Sequence, residues 1–145
     1  MKRASVTIIQ SRFTKRIAIV KTRKKGYGLP GGSVEESDYF KEDDHDLAHY
    51  MAAVRELKEE TGIDCRDLSK LETTVFVNKN DNSEHEVVFC VGHVGKEFRL
   101  SYNIKENTAR WMSIEDFKEE MRHSSYNSVN GNMIDIAISR GLIIN

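Results

Sequence analysis

The stretch with the clearest potential for chemistry is Arg55 to Ile63, which reads RELKEETGI. Glu56, Glu59 and Glu60 are spaced at i, i+3 and i+4, so a helix would place all three carboxylates on one face. This arrangement is unfavourable for a helix, because like charges repel and because carboxylates in a last turn oppose the helix dipole. A hard divalent cation such as Mg²⁺ would stabilise it, since Mg²⁺ takes carboxylate oxygens and bridges to substrate phosphates. The alternative interpretation of the spacing alone is a solvated charged face.

A Pro-Gly-Gly turn precedes these carboxylates in the chain. Residues 27–32 read YGLPGG, and the two final glycines let the backbone approach a ligand closely. LPGG followed by RELKEETGI resembles the Nudix hydrolase family, whose pattern is REUxEExGU with U a bulky aliphatic residue. Leu57 and Ile63 fill the two U positions, and nine consecutive positions match. The resemblance is therefore specific over this part of the chain.

The resemblance implies a fold, a reaction and a metal. The fold would be α/β, a Nudix-type α/β/α sandwich with a mixed β-sheet and the carboxylate helix packed on it. The reaction would be cleavage of a nucleoside diphosphate linked to another moiety. The metal would be Mg²⁺ or Mn²⁺, held by Glu56, Glu59, Glu60 and the backbone carbonyl of Gly31.

The resemblance also implies which residues take part in catalysis. Arg55 would orient the carboxylates of the motif, a role that suits a bidentate guanidinium. The segment 109–117, ARWMSIEDF, resembles the closing strand and helix of Nudix domains, and many members carry a further acidic residue just before that strand. Glu106 is the carboxylate at that place. The general base remains open among Glu56, Glu59 and Glu106.

Basic residues cluster before the glycine turn and are candidates for substrate binding. Arg and Lys side chains supply hydrogen-bond donors to phosphate oxygens, and four of them lie at positions 21, 23, 24 and 25. From this region we expect Arg23, Lys25 and Tyr27 to bind substrate. A solvated loop tip is the alternative interpretation of the basic cluster.

The sequence departs from the family pattern upstream of Arg55. The pattern places a glutamate eight residues before the arginine and a glycine six residues before that glutamate, where this chain has Leu47 and Lys41. If Gly32 is the motif glycine, its separation from Arg55 is 23 residues instead of 14. We therefore expect a nine-residue insertion within the acidic stretch Ser33 to Asp46.

This departure removes the usual partner of the motif arginine. An unpaired buried guanidinium is costly, so an acidic residue of the insertion should replace the missing glutamate. Asp46 and Asp44 are the candidates, since both lie beside the expected start of the helix. The alternative is that Arg55 pairs only with Glu59, four residues further along the helix.

The elements that position these residues follow from apolar periodicity. An apolar stripe from Leu47 to Leu57 predicts a helix with Asp44 or Asp46 as N-cap and Gly62 at its end, and we expect His49 on it to be a surface or packing residue. The pattern predicts strands at Ala4–Gln10, Arg16–Lys21, Glu72–Asn78 and Glu84–Val94, and the last two of these are expected to form a hairpin. Towards the C-terminus it predicts an extended stretch at Phe98–Tyr102, a strand near 107–112, a helix Ile114–Met121 capped by Ser113, a loop His123–Asn132 and a helix Met133–Arg140.

Composition limits the class of protein. With 145 residues, 39% of them apolar, the chain is expected to form a single domain over residues 1–145. A net charge of −1 gives no support for nucleic-acid or membrane binding, and a homodimer is compatible with the sequence. Cys65 and Cys90 predict no disulfide framework and no metal site, so we expect free thiols in the reducing cytoplasm.

The sequence therefore predicts metal-assisted hydrolysis of a phosphoanhydride. Among substrates, a nucleoside triphosphate or a dinucleoside polyphosphate is favoured, with an ADP-sugar or a capped RNA end as alternatives. From other classes of protein, a Nudix-like domain that binds a nucleotide without turnover and a protein with a structural cation stay open. The intact glutamates argue against the silent binder.

Overall fold

Seven strands form one mixed sheet in the computed structural model, which describes residues 1–22, 26–100, 107–123 and 128–145. The strands are β1 Lys2–Ser11, β2 Ile17–Thr22, β3 Gly26–Gly28, β4 Gly31–Ser33, β5 Ser69–Val77, β6 Glu84–Val94 and β7 Asn107–Met112. Their order is β3-β2-β1-β6-β5, with β4 paired to β1 and β7 paired to β2. The pairing of β1 with β6 is parallel, whereas the other pairs are antiparallel.

Helices cover both faces of this sheet. They are α1 His45–Thr61, α2 Ile114–Arg122 and α3 Ser128–Ser139, and a short 3-10 turn spans Glu36–Asp38. On β1, Ile8 packs in the core that holds Phe117 of α2, whereas its neighbour Ile9 packs with Leu57 of α1. Successive strand residues point to opposite faces, so α1 lies on one side and α2 on the other. The expected α/β/α sandwich with a mixed sheet is confirmed.

The same alternation on β6 fixes the position of the carboxylate helix. Val88 and Cys90 contact Ala53 of α1, while Phe89 and Val91 contribute to the core beneath α2 and α3. Each fully buried aliphatic or aromatic side chain of this kind stabilises the fold by about 1.5–3 kcal/mol. Helix α1 is therefore held rigidly along its apolar stripe.

Both ends of α1 carry the caps that the sequence predicts. The Asp44 side chain accepts a hydrogen bond from the Leu47 N–H at 3.1 Å, which makes it the N-cap. Gly62 ends the helix in the left-handed region with φ 81° and donates to the Lys58 carbonyl at 2.9 Å. A side chain at this φ would be strained, so the glycine is required there.

His49 of α1 belongs to a buried polar cluster, which we call the histidine cluster, formed with Ser5 of β1 and Glu86 of β6. Ser5 Oγ donates to the His49 carbonyl at 2.7 Å and lies 3.0 Å from His49 Nδ1. His49 Nε2 lies 2.7 Å from a Glu86 carboxylate oxygen. His49 is only 2% exposed. It is therefore a packing residue, one of the two roles expected for it.

Other expectations along the chain have mixed outcomes. The β5–β6 hairpin is confirmed, and so is the helix after Ser113, whose hydroxyl accepts from the Asp116 N–H at 3.1 Å. Residues 97–100 form no regular strand, and the rest of the expected stretch Phe98–Tyr102 lies outside the described residues. Cys65 and Cys90 are free thiols. None of the described helices is long and apolar enough to cross a membrane.

The predicted loop His123–Asn132 is wrong in its second half, because α3 already begins at Ser128. Gly131 disfavours a helix by about 1 kcal/mol relative to alanine. Burial of Met133, Ile134 and Ala137 in the core offsets that cost. Tertiary packing thus overrides local propensity here. Residues 124–127 lie outside the described part of the chain.

Candidate active site

The site is built where the C-terminal half of α1 packs on the two glycines of β4. A Cβ on Gly31 would lie 2.5 Å from the Ser5 backbone oxygen, and a Cβ on Gly32 would lie 2.5 Å from the carboxylate of Glu56. No real Cβ tolerates such distances to backbone, so Gly31 allows β4 to pair with β1. Gly32 in turn allows the Glu56 carboxylate to lie against the turn.

Glu60 is the carboxylate that the turn holds directly. One of its oxygens accepts a hydrogen bond from the Gly31 N–H at 2.8 Å. Burial and the charges of Glu56 and Glu59 together raise the pKa of Glu60 to about 7, although the hydrogen bond from the Gly31 N–H acts to lower it. The surrounding protein therefore stabilises the ionised form of Glu60 poorly.

Glu56 and Glu59 share one cation, the guanidinium of Arg55. Nη1 of Arg55 donates to Glu56 at 2.9 Å and to Glu59 at 3.3 Å. The Glu56 side chain is 15% exposed, and burial raises its pKa despite the Arg55 contact, with the charge of Glu59 adding to the rise. The Glu59 side chain is 59% exposed. Glu59 is thus exposed to solvent, whereas Glu56 and Glu60 are half-buried.

The main partner of Arg55 is Asp38, which sequence reasoning missed. Arg55 Nε and Nη2 donate to the two Asp38 carboxylate oxygens at 3.1 and 2.9 Å, and Nη2 also donates to the Ser33 carbonyl at 3.0 Å. Asp38 is 5% exposed, and although burial acts to raise its pKa, hydrogen bonds from Arg55 and the Glu35 N–H hold that pKa below its usual value. This bidentate pair fixes the plane of the guanidinium.

The expectation that an acidic residue of the insertion pairs with Arg55 named the wrong residues, Asp46 and Asp44. The alternative that Arg55 pairs only with Glu59 is also wrong. Asp44 is committed to the N-cap of α1, and Asp38 approaches from the 3-10 turn. Asp38 lies six residues after Gly32, which is the spacing that the family pattern gives between its glycine and its glutamate. Counting forward from the glycine, instead of back from the arginine, would have found it. The nine extra residues thus lie between Asp38 and Arg55.

The candidate substrate-binding residues are partly described. Tyr27 lies on β3, with Lys21 Nζ 4.9 Å from its ring centre and Arg110 Cζ 5.8 Å from it. Arg110 also donates to the Tyr27 hydroxyl at 3.4 Å. Sequence reasoning missed Arg110, although it lies in the ARWM strand. The remaining candidates, Arg23, Lys25 and Glu106, lie outside the described residues.

A divalent cation fits the carboxylates by charge and by donor type. The carboxylates of Glu35, Asp38, Glu56 and Glu59 all lie within 3.6 Å of the Arg55 guanidinium, and Glu60 lies nearby on the same helix. The pKa values of Glu56 and Glu60 are both raised. A cation would favour their ionised forms, and oxygen donors suit Mg²⁺ or Mn²⁺. In the described ranges, however, no three His, Cys, Asp or Glu side chains already converge on one metal position.

Solved structures with the same fold come from several organisms. A NUDIX hydrolase from Nitrosomonas europaea is 14% identical, with a TM-score of 0.73 over 98% of this chain and 90% of that chain. A C. elegans Ap4A hydrolase binary complex is 16% identical, with a TM-score of 0.70 over 97% and 99%. The E. coli dihydroneopterin triphosphate pyrophosphohydrolase is 18% identical, with a TM-score of 0.68 over 92% of each chain. At these identities the likeness shows the fold.

The sequence itself gives the family. None of the curated proteins compared matches the chain. The family model described as the NUDIX domain matches residues 1–130, most of the chain, and so includes both the glycine turn and the carboxylate helix. The chain belongs to the Nudix family of hydrolases, which act on pyrophosphate bonds.

Proposed function

We propose that this protein hydrolyses the phosphoanhydride bond of a nucleoside diphosphate linked to another moiety, with Mg²⁺ or Mn²⁺ as cofactor. The observation that carries the proposal is the surplus of negative charge at the end of α1. Glu56 and Glu60 both have raised pKa values beside a turn in which Gly32 leaves room for the Glu56 carboxylate. Such a cluster is unfavourable for folding and favourable for binding a cation and its phosphate ligand.

Four groups would hold the metal: Glu56, Glu59, Glu60 and the Gly31 carbonyl. When bound, the ion would neutralise the pyrophosphate and lower the pKa of a water. Arg55 would orient Glu56 and Glu59 through Nη1, and Asp38 would keep Arg55 in that position. A glutamate near the phosphate then accepts the proton of the attacking water. Glu56, Glu59 and Glu106 are the candidates for this general base.

The substrate's phosphates and base need contacts away from the carboxylates. Lys21 and Arg110 flank the Tyr27 ring and supply positive charge beside an aromatic surface. We propose that this group binds the substrate together with Arg23 and Lys25. A nucleoside triphosphate or a dinucleoside polyphosphate is the first choice of substrate, and an ADP-sugar or a capped RNA end is the second. The chain's free thiols suit the cytoplasm as its location.

The test is a panel of nucleotides incubated with Mg²⁺, with the products separated by chromatography. Two of the similar structures are named for hydrolysis of Ap4A and of a triphosphate, so these two substrate types come first in the panel. We expect release of phosphate or pyrophosphate that stops when EDTA is added. Tight nucleotide binding without turnover would instead make the protein a silent binding domain.

A second experiment identifies the bond that breaks. Hydrolysis in ¹⁸O-labelled water should place the label in a phosphate product, because the candidate catalytic groups are carboxylates that would hold a metal and activate water. Label in a ribose hydroxyl would point to glycosidic chemistry and would contradict the proposal. A melting temperature that depends on Mg²⁺ without any phosphate release would indicate a structural cation.

A further inference from the structure

Strand β5 forms the outer edge of the described sheet, at the end of the order β3-β2-β1-β6-β5. It pairs with β6 from Ser69 to Val77. At its C-terminal end three consecutive apolar residues are exposed: Val75 by 56%, Phe76 by 46% and Val77 by 52%. Natural edge strands usually carry charges or proline, which prevent pairing with another chain. These three residues include neither.

The pattern of exposure specifies the shape of what would cover this edge. Val75 and Val77 point to one face of the sheet and Phe76 to the other. A partner lying on one face would cover only one of these sets, whereas an extended strand added at the edge contacts both. Phe76 stacks on His85 of β6, with ring centres 5.1 Å apart and an angle of 11° between planes, so its ring is held in place.

We propose that β5 pairs antiparallel with β5 of a second copy of this chain and joins two sheets into one. In such a dimer the twofold axis is perpendicular to the sheet, so one residue must lie opposite itself. We place that axis at Phe76, which then faces the partner's Phe76. Val75 faces the partner's Val77, and Thr74 faces the partner's Asn78.

Neighbouring registers match the side chains less well. An axis at Val75 would put Phe76 opposite the partner's Thr74, and an axis at Val77 would put Val75 opposite the partner's Lys79. Of these three registers, only the one centred on Phe76 places every exposed apolar residue opposite another apolar residue.

Charge also favours a second copy as the occupant. In the register centred on Phe76, the nearest charged residues, Glu72 and Lys79, face the partner's Asn80 and the partner's Thr73. No like charges therefore meet across the pairing. The net charge of −1 leaves little general repulsion between two copies.

The size of the contact predicts a reversible association. Only about five residues of each strand take part, whereas a stable interface commonly buries about 800 Å² per partner. We therefore expect monomer and dimer to exchange and the dimer fraction to rise with protein concentration. The carboxylates of α1 take no part in this pairing, so the inference stands or falls separately from the proposed reaction.

The test is sedimentation velocity of the full chain over a hundredfold range of concentration. The wild-type average mass should rise from 16.7 kDa towards twice that value. Phe76→Lys should remain monomeric throughout, with Val77→Lys as a second variant if the first is misfolded. Phe13→Lys is the matched control, because Phe13 is an 83% exposed phenylalanine in the β1–β2 turn, and it should behave as wild type. A wild-type monomer at every concentration, or a dimer that survives both β5 changes, would overturn the proposal.

Crosslinking tests the register. In a Cys65→Ser background, Phe76→Cys should form an intermolecular disulfide on mild oxidation, because residues directly opposite in antiparallel strands have Cα atoms about 4.5–5.5 Å apart. Thr74→Cys is the matched control. Its two copies would be about 13 Å apart along the strands and should not crosslink. Crosslinking of Thr74→Cys but not of Phe76→Cys would exclude the proposed axis.

Discussion

Helix α1 contributes to two clusters of charged side chains that differ in their balance of charge. The histidine cluster at its N-terminal half joins His49 to one carboxylate, Glu86. The carboxylate cluster at its C-terminal half, which we define as Glu35, Asp38, Arg55, Glu56, Glu59 and Glu60, sets one cation against five acids. In the first cluster the hydrogen bond from His49 lowers the pKa of Glu86 against the effect of burial, with its charge and that of Arg3 acting the same way. In the second, burial and like charges raise the pKa values of Glu56 and Glu60.

The contacts within the histidine cluster show how well the charge of Glu86 is compensated. Ser5 Oγ donates to the His49 carbonyl and also lies within hydrogen-bond distance of Nδ1, so it fixes the ring against β1. His49 Nε2 lies 2.7 Å from a Glu86 carboxylate oxygen, and Arg3 Nε approaches the same oxygen at 3.4 Å. The Glu86 carboxylate thus has partners from both β1 and α1, which compensate its charge. A balanced buried cluster of this kind holds elements together, whereas an unbalanced one is suited to bind a cation from solution.

The largest expected effect is on turnover. Glu59→Gln and Glu60→Gln should each reduce hydrolysis about 10²-fold or more, because each removes a proposed metal ligand and Glu59 is also a candidate base. Initial rates with saturating Mg²⁺, measured below the melting temperature, check this. Glu86→Gln is the matched control in the balanced cluster and should keep the wild-type rate. Normal rates in both α1 variants would remove the metal assignment.

The next effect tests the contact between Arg55 and Asp38. Asp38→Asn should cost roughly 10- to 100-fold in activity or metal affinity, the usual scale for a residue that orients a ligand. That cost should largely vanish in an Arg55→Met background, because the partner is then absent. Asp44→Asn is the control, since asparagine caps a helix as well as aspartate does. Additive losses from Asp38→Asn and Arg55→Met would contradict a positioning role for Asp38.

These residues also show what could be predicted from the sequence. Helix α1, its caps Asp44 and Gly62, and the strand Glu84–Val94 were predictable because apolar periodicity and capping are local signals. The strands Gly26–Gly28 and Gly31–Ser33 were missed, since three residues rich in glycine carry no periodicity and pair only with distant strands. The Asp38–Arg55 pair required the path of a loop, which local rules do not give.

A third prediction concerns stability without metal. The pKa of Glu60 in the folded protein is about 7, which is above its ordinary value of 4.5. The protonated form of Glu60 therefore stabilises the fold fully below pH 4.5, and this stabilisation is lost as the pH rises through 7. The loss should be on the order of 3 kcal/mol. In EDTA, Glu60→Gln should therefore be more stable than wild type at pH 8.5. Urea unfolding measures this, with the exposed Glu120→Gln as the control, and a variant less stable than wild type at that pH would contradict it.

The smallest expected effect is a loss of stability, opposite to the gain expected for Glu60→Gln. Glu86→Gln should destabilise the protein by about 2 kcal/mol at neutral pH, because it removes the carboxylate that pairs with Arg3 and with the His49 ring. The lowered pKa of Glu86 means that its contribution is present above its ordinary value and is lost as pH falls through the folded-state value. The difference from wild type in urea unfolding should thus shrink in acid. Equal stability of the two proteins at pH 7 would show that the histidine cluster does not hold α1 to the sheet.

The segment between Asp38 and the helix start at Asp44 has a consequence for engineering the chain. Both of its ends are fixed, by the Arg55 contact and by the N-cap, while Phe40 between them is 82% exposed. The entropy of closing a loop grows only logarithmically with its length, so doubling the connection costs about 0.6 kcal/mol. That is less than a charged hydrogen bond contributes. A short peptide tag or a fluorescent label should therefore be accepted at Phe40, close enough to report on the neighbouring site and without unfolding the protein around it.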